Sequence, residues 1–534
     1  MAQITGGEAA IRALKAEGVE VVFGLPGVHT LPIYDALYHH PEIRHIAVRH
    51  EQAAAYMADG YSRITGKPGV CLTTTGPGAI NTAPALATSY ADSVAVLNIM
   101  SQIETYLVDK GKNALHETKD QMGLFRSCTR WNARVDTNEE VPAAIHEAFR
   151  QMHSGHPGPT AIEICTDILH NAADIELYKF QNVAKSAQKA SATKVLQAIE
   201  MLRQAKSPVL WVGYGAADAS DEVRRLAELL NAPVLTSPRG KGVLSDDHPL
   251  CAGSRGNEVP VRHLLAESDL MLAVGAGFDW ISTTNWRVRV PQPLIQIDID
   301  EDVIGRNYPV ALGLVGDAKA VLGQVIEGLG DFRPDRSDAE ASVAEIVAKS
   351  DDWLAGRYPE QVRMMRALRK VLPRDGIVVC DATKAMASVL RCLPVYEPRS
   401  YTLPAAYGTL GYAFPAALGA KVGAPDRKVV AVCGDGGFQF CNPELATALQ
   451  YGINITVLIF NNKRWGAIRD HQDKSYGGRR FEVELLNPDF VKLAEAYGAI
   501  GLRVNDPKDF SSVVEQALAA DKITVVDIPM EDED

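Results

Sequence analysis

Short apolar runs alternate with amphipathic, helix-length stretches along most of the chain. This alternation is typical of parallel β-sheets with helices on both faces, because strands buried on both sides appear as continuous apolar runs. The pattern occurs in three blocks, and we predict an α/β protein with three doubly wound parallel-sheet domains. The predicted strands are 21–23, 69–74, 94–99 and 161–164, then 209–212, 234–236, 270–274 and 294–299, and finally 377–380, 428–433, 455–460 and 523–527.

Two polar, charged stretches separate the blocks, at about 176–191 and 333–360. Low apolar content over such lengths is typical of linkers. We therefore predict domains at 1–170, 190–330 and 365–534, in agreement with the number of domains expected for 534 residues.

The first and third blocks repeat one another. A strand, a glycine turn and a Leu-Ala-Thr triplet occur in the same order near residues 69–88 and again near 429–447. This repetition predicts two related α/β domains on either side of a different middle domain.

Composition and charge exclude several classes of protein. The formal net charge is −12, without long runs of one sign except at 531–534, so we expect no nucleic-acid partner. The longest apolar runs are strand-length, and no membrane span is predicted. Residues 1–20 lack the pattern of a secretory signal, so a cytoplasmic location is expected. The eight cysteines form no Cys-x-x-Cys pair, and we expect reduced core residues.

The segment Gly434-Asp435-Gly436 at the end of a predicted strand carries the clearest chemical signal. Glycines let the backbone approach a phosphate, and the helix that follows directs N–H groups at the anion. Asp435 offers a carboxylate oxygen, and Asn462 offers an amide oxygen after the next strand. Magnesium prefers such ligands and shares them with phosphate. The spacing therefore predicts a magnesium diphosphate site, against the simpler alternative of an ordinary strand-to-helix turn.

These motifs together resemble the acetolactate synthase-like family of thiamine diphosphate (ThDP) enzymes. The likeness covers essentially the whole chain, with its clearest segments at 50–63, 66–70, 76–81 and 408–417 in addition to the diphosphate motif. It implies pyrimidine-binding, middle and diphosphate-binding domains, with ThDP and Mg²⁺ as cofactors. It also implies a homodimer or homotetramer with active sites at the subunit interface.

The resemblance assigns roles to individual residues. Glu51 is implied as the carboxylate that activates the pyrimidine ring, although a glutamate at a helix start is also stabilised by the helix dipole. Leu410 is implied as the apolar wedge that bends the cofactor, with core packing as the alternative. The metal ligands implied are Asp435, Asn462 and the carbonyl of Arg464. Further implied cofactor contacts are Pro26, Gly76, Asn81, Thr383, Gly408, Gly434, Gly436 and Gly437.

The middle block departs from the flavin-binding members of the family. Ser254-Arg255-Gly256-Asn257 stands where a Met-His-Gly-type segment is expected, which weakens the case for bound FAD. The Gly213-x-Gly215 and Gly275-x-Gly277 motifs lack a full Gly-x-Gly-x-x-Gly context. We interpret them as turns at strand ends rather than a nucleotide site.

The substrate pocket also departs from acetolactate synthase. His29, His116 and Gln121 are the predicted catalytic residues, because histidines donate and accept protons near neutrality. Their segments resemble those of benzaldehyde lyase and of decarboxylases acting on 5-guanidino-2-oxopentanoate. A surface turn or a polar contact is the alternative for either histidine. Asp470 is a candidate partner for a guanidinium group and Arg469 for a carboxylate, with solvation of both as the alternative. The chain ends soon after Asp527, and this short C-terminus predicts an open substrate channel.

We expect ThDP- and magnesium-dependent decarboxylation of a 2-oxo acid, such as 5-guanidino-2-oxopentanoate, with release of an aldehyde. The alternative within the class is an acyloin-forming carboligase such as acetolactate synthase. A catalytically silent scaffold and a nicotinamide-dependent dehydrogenase are alternatives from other classes. The complete set of Glu51, Leu410, Asp435 and Asn462 argues against a silent scaffold. The dehydrogenase is disfavoured, because it is supported only by scattered glycines.

Overall fold

Three parallel sheets form the framework of the protein, as the hydrophobic pattern predicts. The structure is a computed structural model that describes residues 2–176, 187–256, 258–335 and 337–530. Each of the three sheets has six strands, and a two-stranded antiparallel ribbon joins β1 (Ala2–Thr5) to β8 (Ala172–Ile175). Most of the first predicted linker, Asn257 and the acidic tail lie outside the described residues. Among the helices of the described ranges, none combines the length and apolar character needed to cross a bilayer.

The N-terminal sheet has the strand order β3-β2-β4-β5-β7-β6, and all its pairs are parallel. Its central strands β4, β5 and β7 are buried along their length, which explains their continuous apolar sequence. Strands β2 to β7 are Val21–Gly24, Arg44–Ala47, Gly69–Thr73, Val96–Gln102, Trp131–Val135 and Thr160–Cys165. Helices α1 to α8 are Gly6–Ala16, Leu31–His39, Glu51–Thr65, Pro77–Asn81, Ala83–Ala91, Gln121–Phe125, Glu140–Met152 and Thr166–His170.

The middle sheet has the order β11-β10-β9-β12-β13-β14, again all parallel. This is the order of dinucleotide-binding folds, in which the strand sequence reverses beside the first strand. Strands β9 to β14 are Pro208–Val212, Val234–Thr236, Cys251–Gly253, Leu270–Val274, Leu294–Asp298 and Leu312–Val315. Helices α9 to α12 are Ala192–Gln204, Ser220–Leu230, Val259–Glu267 and Ala318–Leu329.

The second predicted linker is wrong, because most of it is a long helix, α13 (Ala339–Arg357). Buried side chains recur along one face of α13, at Val343, Ile346 and Leu354. Val343 and Ile346 pack against apolar residues of the middle domain. The many charges of this segment therefore lie on the exposed face of an amphipathic helix. Helix α14 (Pro359–Val371) follows directly.

The C-terminal sheet has the order β16-β15-β17-β18-β20-β19. When the strands of each sheet are numbered in chain order within that sheet, the C-terminal and N-terminal sheets have the same strand order. This agrees with the repeated sequence pattern. Strands β15 to β20 are Ile377–Cys380, Tyr401–Thr402, Val429–Gly434, Thr456–Asn461, Ile500–Arg503 and Thr524–Pro529. Helices α15 to α21 are Ala385–Cys392, Ala413–Gly423, Asp435–Phe438, Glu444–Tyr451, Gly466–Ser475, Phe490–Tyr497 and Phe510–Ala519.

Helices α3 and α16 join the two outer domains by direct backbone contact. A methyl group on Gly60 would overlap the carbonyl of Ala416, and one on Gly419 would overlap the carbonyl of Met57. The two helices therefore approach more closely than side chains would allow. Beside this contact, buried Arg63 is paired with two buried carboxylates of the N-terminal domain and donates to the Leu403 carbonyl.

All eight cysteines are free, and seven of them are buried, as the sequence predicts. Burial raises the pKa of the Cys128 and Cys392 thiols to about 11, so both stay protonated near neutrality.

Candidate active site

Glu51 is the first residue of α3 and is only 8% exposed. The side chain of His50 caps the helix by accepting from the Gln52 N–H. The Glu51 carboxylate accepts a hydrogen bond of 2.9 Å from Asn81 Nδ2 at the end of α4. The structure thus brings two predicted site residues together. Glu51 also lies at the positive end of the helix dipole, so both interpretations of this residue hold.

Gln121 holds the glycine turn that precedes α4. Its Oε1 atom accepts from the Gly76 N–H at 2.8 Å and from Thr75 Oγ1 at 3.0 Å. Its Nε2 atom donates to the Ser101 carbonyl and to Glu163 Oε2. Because both ends of this amide are used within the chain, Gln121 is placed to position the Gly76 turn rather than to contact substrate. Burial raises the pKa of Glu163 to about 7.

His29 and His116 face one another with their ring centroids 5.2 Å apart. The Nδ1 atoms of both are buried without a hydrogen-bond partner among the described residues. Burial and the neighbouring His116 lower the pKa of His29, and the Glu104 carboxylate partly opposes this effect. The His29 ring is therefore neutral at physiological pH. His116 has φ of +68°, which is uncommon for a non-glycine residue and marks a constrained loop.

Thr74 packs against Gly27, two residues before His29, and against Gly78, and the sequence analysis missed it. A methyl group on Gly27 would lie 2.5 Å from Thr74 Cβ, and one on Gly78 would lie 2.8 Å from Thr74 Cγ2 and 3.2 Å from Glu51 Oε1. Thr74 Oγ1 is a third buried atom without a partner in the described part of the chain. Unsatisfied buried polar atoms are rare, so the two in the facing histidines and the one of Thr74 indicate a site for a polar ligand. Pro26, on the same loop as Gly27, is exposed.

Asp435 opens α17 at the end of β17 and is 2% exposed. Gly434 pairs with Phe460 in the parallel β17–β18 register, so Asp435 and Asn462 leave the sheet at the same edge. The carboxylate accepts a 2.6 Å hydrogen bond from Asn487 Nδ2, a residue that the sequence analysis missed. Burial raises the pKa of Asp435, and hydrogen bonds from Asn487 and from backbone N–H groups, including that of Lys463, oppose the increase.

The donor set at this edge suits a hard cation. Asp435 contributes a carboxylate, Asn462 an amide and Arg464 a carbonyl, and Arg464 Nε donates to the Asn462 carbonyl at 2.8 Å. Among the described residues, no group of three or more His, Cys, Asp or Glu side chains could hold a metal. A metal bound here would therefore depend on amide, carbonyl and phosphate oxygens, which is the preference of Mg²⁺.

The glycines around Asp435 leave no room for side chains. A methyl group on Gly436 would overlap the Trp465 ring, one on Gly434 would lie 2.8 Å from Thr383 Oγ1, and one on Gly437 would lie 2.9 Å from Asp381 Oδ2. The backbone of this turn therefore packs directly against neighbouring side chains and carries none of its own, and the N–H groups at the start of α17 are the groups that would hold a diphosphate. The residues present fit the diphosphate group of ThDP.

Asp381 organises the turn that carries Gly408 and Leu410. It is buried after β15 and accepts from the Gly411 N–H at 3.1 Å. Burial raises its pKa to about 6. Gly408 and Gly411 have φ of +68° and +77°, which favours glycine at both positions. Leu410 is half-buried, so core packing within this chain does not account for all of its surface.

Two predicted substrate contacts are already occupied. Asp470 forms an ion pair with Lys384 at 3.0 Å, and Arg469 also has a partner within the chain. A substrate group would have to compete with these partners within the chain, so both roles stay predictions.

The glycine turns of the middle domain pack against each other. A methyl group on Gly213 would overlap the Gly275 carbonyl, and one on Gly215 would lie 2.8 Å from Gly275 Cα. The turns fill each other's space, which agrees with their interpretation as strand-end turns. The Trp211 ring lies 2.7 Å from the position of a methyl group on Gly256, so this flank is filled as well.

The fold and site define a thiamine pyrophosphate enzyme, and the chain belongs to that family. The N-terminal TPP binding domain of these enzymes matches residues 4–124, the central domain matches 195–325, and the C-terminal TPP binding domain matches 359–528. ThDP, the same compound as thiamine pyrophosphate, is the cofactor that these domains bind.

The chain is similar to two kinds of enzyme within the family. A probable 2-ketoarginine decarboxylase from Pseudomonas aeruginosa is 38% identical over 520 residues, covering 96% of this chain and 90% of that protein. A probable acetolactate synthase large subunit from Methanococcus aeolicus is 33% identical over 557 residues, covering 99% and 92%. The acetolactate synthase large subunit of Haemophilus influenzae is 34% identical, covering 100% and 95%.

Proposed function

We propose that this enzyme decarboxylates a 2-oxo acid with ThDP and Mg²⁺ and releases an aldehyde, and that 5-guanidino-2-oxopentanoate is its substrate. The observation that carries the proposal is the pair formed by buried His29 and half-buried His116, each with a buried Nδ1 atom that has no partner among the described residues. The similarity to a probable 2-ketoarginine decarboxylase supports the choice of substrate, since 2-ketoarginine is the same compound.

The chain's own residues divide the work between two sites. Asp435, Asn462 and the Arg464 carbonyl would hold Mg²⁺ and, through it, the diphosphate of ThDP, which supplies an electron sink for the bond that breaks as carbon dioxide leaves. The Glu51 carboxylate is the group that exchanges a proton with the ligand, and its hydrogen bond with Asn81 holds it in a buried position. Its burial excludes water, which strengthens its hydrogen bonds to a ligand.

His29 and His116 then determine whether the carbon atom that has lost carbon dioxide receives a proton or bonds to a second carbonyl compound. A neutral imidazole accepts a proton at one ring nitrogen and donates one from the other. The Nδ1 atoms of His29 and His116 have no partner among the described residues, so they are available for such a transfer. Delivery of a proton by this pair favours release of an aldehyde over addition to a second carbonyl compound.

A screen of 2-oxo acids tests this function. The purified enzyme with ThDP and Mg²⁺ is incubated with 5-guanidino-2-oxopentanoate, pyruvate or benzoylformate, and carbon dioxide, aldehyde and acetolactate are measured separately. We expect carbon dioxide and aldehyde in equal amounts from the guanidino acid. His29→Gln and His116→Gln should lower aldehyde release, whereas His263→Gln, at an exposed position, should not. Abundant acetolactate from pyruvate would overturn the proposal.

The second candidate is an acyloin-forming carboligase. The similarity to acetolactate synthases of Methanococcus aeolicus and Haemophilus influenzae, at 33% and 34% identity, supports it. In this case the same screen gives acetolactate from two molecules of pyruvate, and the histidine variants change the ratio of products rather than the consumption of pyruvate.

We further propose that a homodimer, alone or within a homotetramer, forms the active sites at its interface. In the described residues, the polar contacts of Glu51 and of Asp435 go to different partners, Asn81 and Asn487. Large apolar side chains beside the turn that carries Gly408 and Gly411 are exposed in the single chain, Tyr407 at 55% and Phe440 at 53%. Burial of such side chains is a common driving force of association.

Mixing two inactive variants tests the shared site. Glu51→Gln and Asp435→Ala are each expected to be inactive alone. Exchange of subunits creates mixed dimers in which one site has both wild-type residues, so about a quarter of wild-type activity should return. No recovery after verified exchange would show that each chain forms its own complete site.

A further inference from the structure

Glu104 is an unused carboxylate beside the histidine pair. It follows β5 and the buried Ile103, and it is half-buried. Thr166 Oγ1 donates to the Gln102 carbonyl at 2.8 Å and to the His29 carbonyl at 3.4 Å, so the end of β5, two residues before Glu104, lies against the His29 segment. The charge of Glu104 acts on the His29 ring as well. Its side chain has no hydrogen bond or ion pair with any residue in the described part of the chain.

The carboxylates of the neighbouring loops are already engaged. Glu117 accepts from the Ala114 N–H at 2.8 Å, Asp120 pairs with Arg126 at 2.8 Å, and Asp167 accepts from the Thr105 N–H at 3.0 Å. The Asp470 carboxylate, on the other side of the predicted site, is neutralised by Lys384. Glu104 is therefore the carboxylate of this region that remains available to a cation.

The rest of the pocket suits a cation as well. Thr74 Oγ1 is a buried hydroxyl oxygen without a partner among the described residues, and the His29 ring is neutral because burial lowers its pKa. Neither adds positive charge, so the negative charge of Glu104 is not cancelled. A guanidinium has five donors in a planar fork and forms strong bidentate bonds with a carboxylate.

We propose that Glu104 is a specificity-determining residue that receives the cationic, guanidinium end of the 2-oxo acid substrate. The inference rests on the proposed function, because it concerns the same pocket and the same substrate class. It adds the group that distinguishes a cationic substrate from an uncharged one of similar length.

Glu104→Gln tests this role, since glutamine has the same shape without the charge. The values of kcat/KM are measured for 5-guanidino-2-oxopentanoate and for uncharged 2-oxoheptanoate. We expect the variant to lose about 10- to 100-fold on the guanidino acid, mostly through a higher KM, because a charge-assisted hydrogen bond is lost. Turnover of 2-oxoheptanoate should change by less than about threefold. Binding of 5-guanidinopentanoate, which has no oxo group, should weaken to the same extent in calorimetry.

Asp109→Asn is the matched control. Asp109 lies in the same loop, is 69% exposed and carries the same charge. We expect this variant to keep the wild-type preference, which separates a local contact from a change in net charge. An equal loss on both substrates in Glu104→Gln, with an unchanged melting temperature, would overturn the inference.

The failure of the inference can be distinguished from that of the proposed function. A wild-type enzyme that decarboxylates both acids without a preference would refute the role of Glu104 and leave decarboxylation in place. A wild-type enzyme that releases no carbon dioxide from any 2-oxo acid would refute both.

Discussion

Glu163 makes the stability of the N-terminal domain dependent on pH. It lies 2% exposed on β7, and its Oε2 atom accepts from Gln102 Nε2 at 3.2 Å and from Gln121 Nε2 at 3.1 Å. Burial raises its pKa from the ordinary 4.5 to about 7. The folded protein therefore binds a proton at Glu163 between pH 4.5 and 7 that the unfolded chain releases. Stability falls with rising pH across this window, because the folded state binds more protons there.

The magnitude follows from the two pKa values. A folded-state pKa of about 7 against 4.5 in the unfolded chain, at about 1.4 kcal/mol per pH unit, gives about 3 kcal/mol lost by pH 8. Glutamine has the shape of the protonated acid and offers an oxygen to both amide donors, so Glu163→Gln removes this loss. For a domain of this size, 3 kcal/mol corresponds to about 6–12 °C in Tm.

Thermal unfolding from pH 5 to pH 8 measures the effect as the difference in Tm between Glu163→Gln and the wild type. We expect similar values at pH 5 and a variant that is more stable by several degrees at pH 8. Other titrating groups are common to both proteins and cancel in the difference. Glu340→Gln, at an exposed position of α13, should show no such trend. A difference that is constant with pH, or that decreases, would refute the assignment of the raised pKa to Glu163.

Three further predictions concern the site and the contact between domains. Glu51→Gln should leave Tm unchanged and lower carbon dioxide release by at least about 100-fold, and full turnover would contradict the activating role. Asp435→Ala should weaken ThDP binding about tenfold or more at limiting Mg²⁺, whereas calorimetry showing equal affinity would argue against the metal site. Gly60→Ala should destabilise the protein by about 1–3 kcal/mol in denaturant unfolding, because the new methyl group overlaps the Ala416 carbonyl. The control Gly323→Ala has open space in α12 and should be neutral or slightly stabilising, and equal effects would refute the packing argument.

The sequence predicts the central strands of each sheet well, because they are buried on both faces and appear as continuous apolar runs. Several strands at the sheet edges were missed, because they are not buried on both faces and so do not appear as continuous apolar runs. Arg44–Ala47 and Trp131–Val135 are largely half-buried or exposed, and Ile500–Arg503 is half-buried throughout. Their mixed composition resembles that of loops. Helix α13 was mistaken for a linker because its charges hide an apolar residue at every third or fourth position.

The site could be predicted only where its residues form local motifs. Glu51 and Asp435 each stand next to a strand end or helix start with a recognisable composition. Asp381, Asn487 and Thr74 contact the site through tertiary packing with residues distant in sequence, and no local pattern marks them. The ion pair between Asp470 and Lys384 is equally invisible in the sequence, since the two residues are far apart along the chain.

Helices α3 and α16 touch backbone to backbone, with glycines at the crossing. Where the backbones touch, sliding one helix along the other would press a carbonyl group against the facing backbone, and no side chain at that point could move aside. The outer domains should therefore move as one rigid unit during turnover. Entry of substrate and exit of product then depend on surface loops, such as the one from 103 to 120. Changes in these loops would alter the rate of passage without altering the bond-breaking step.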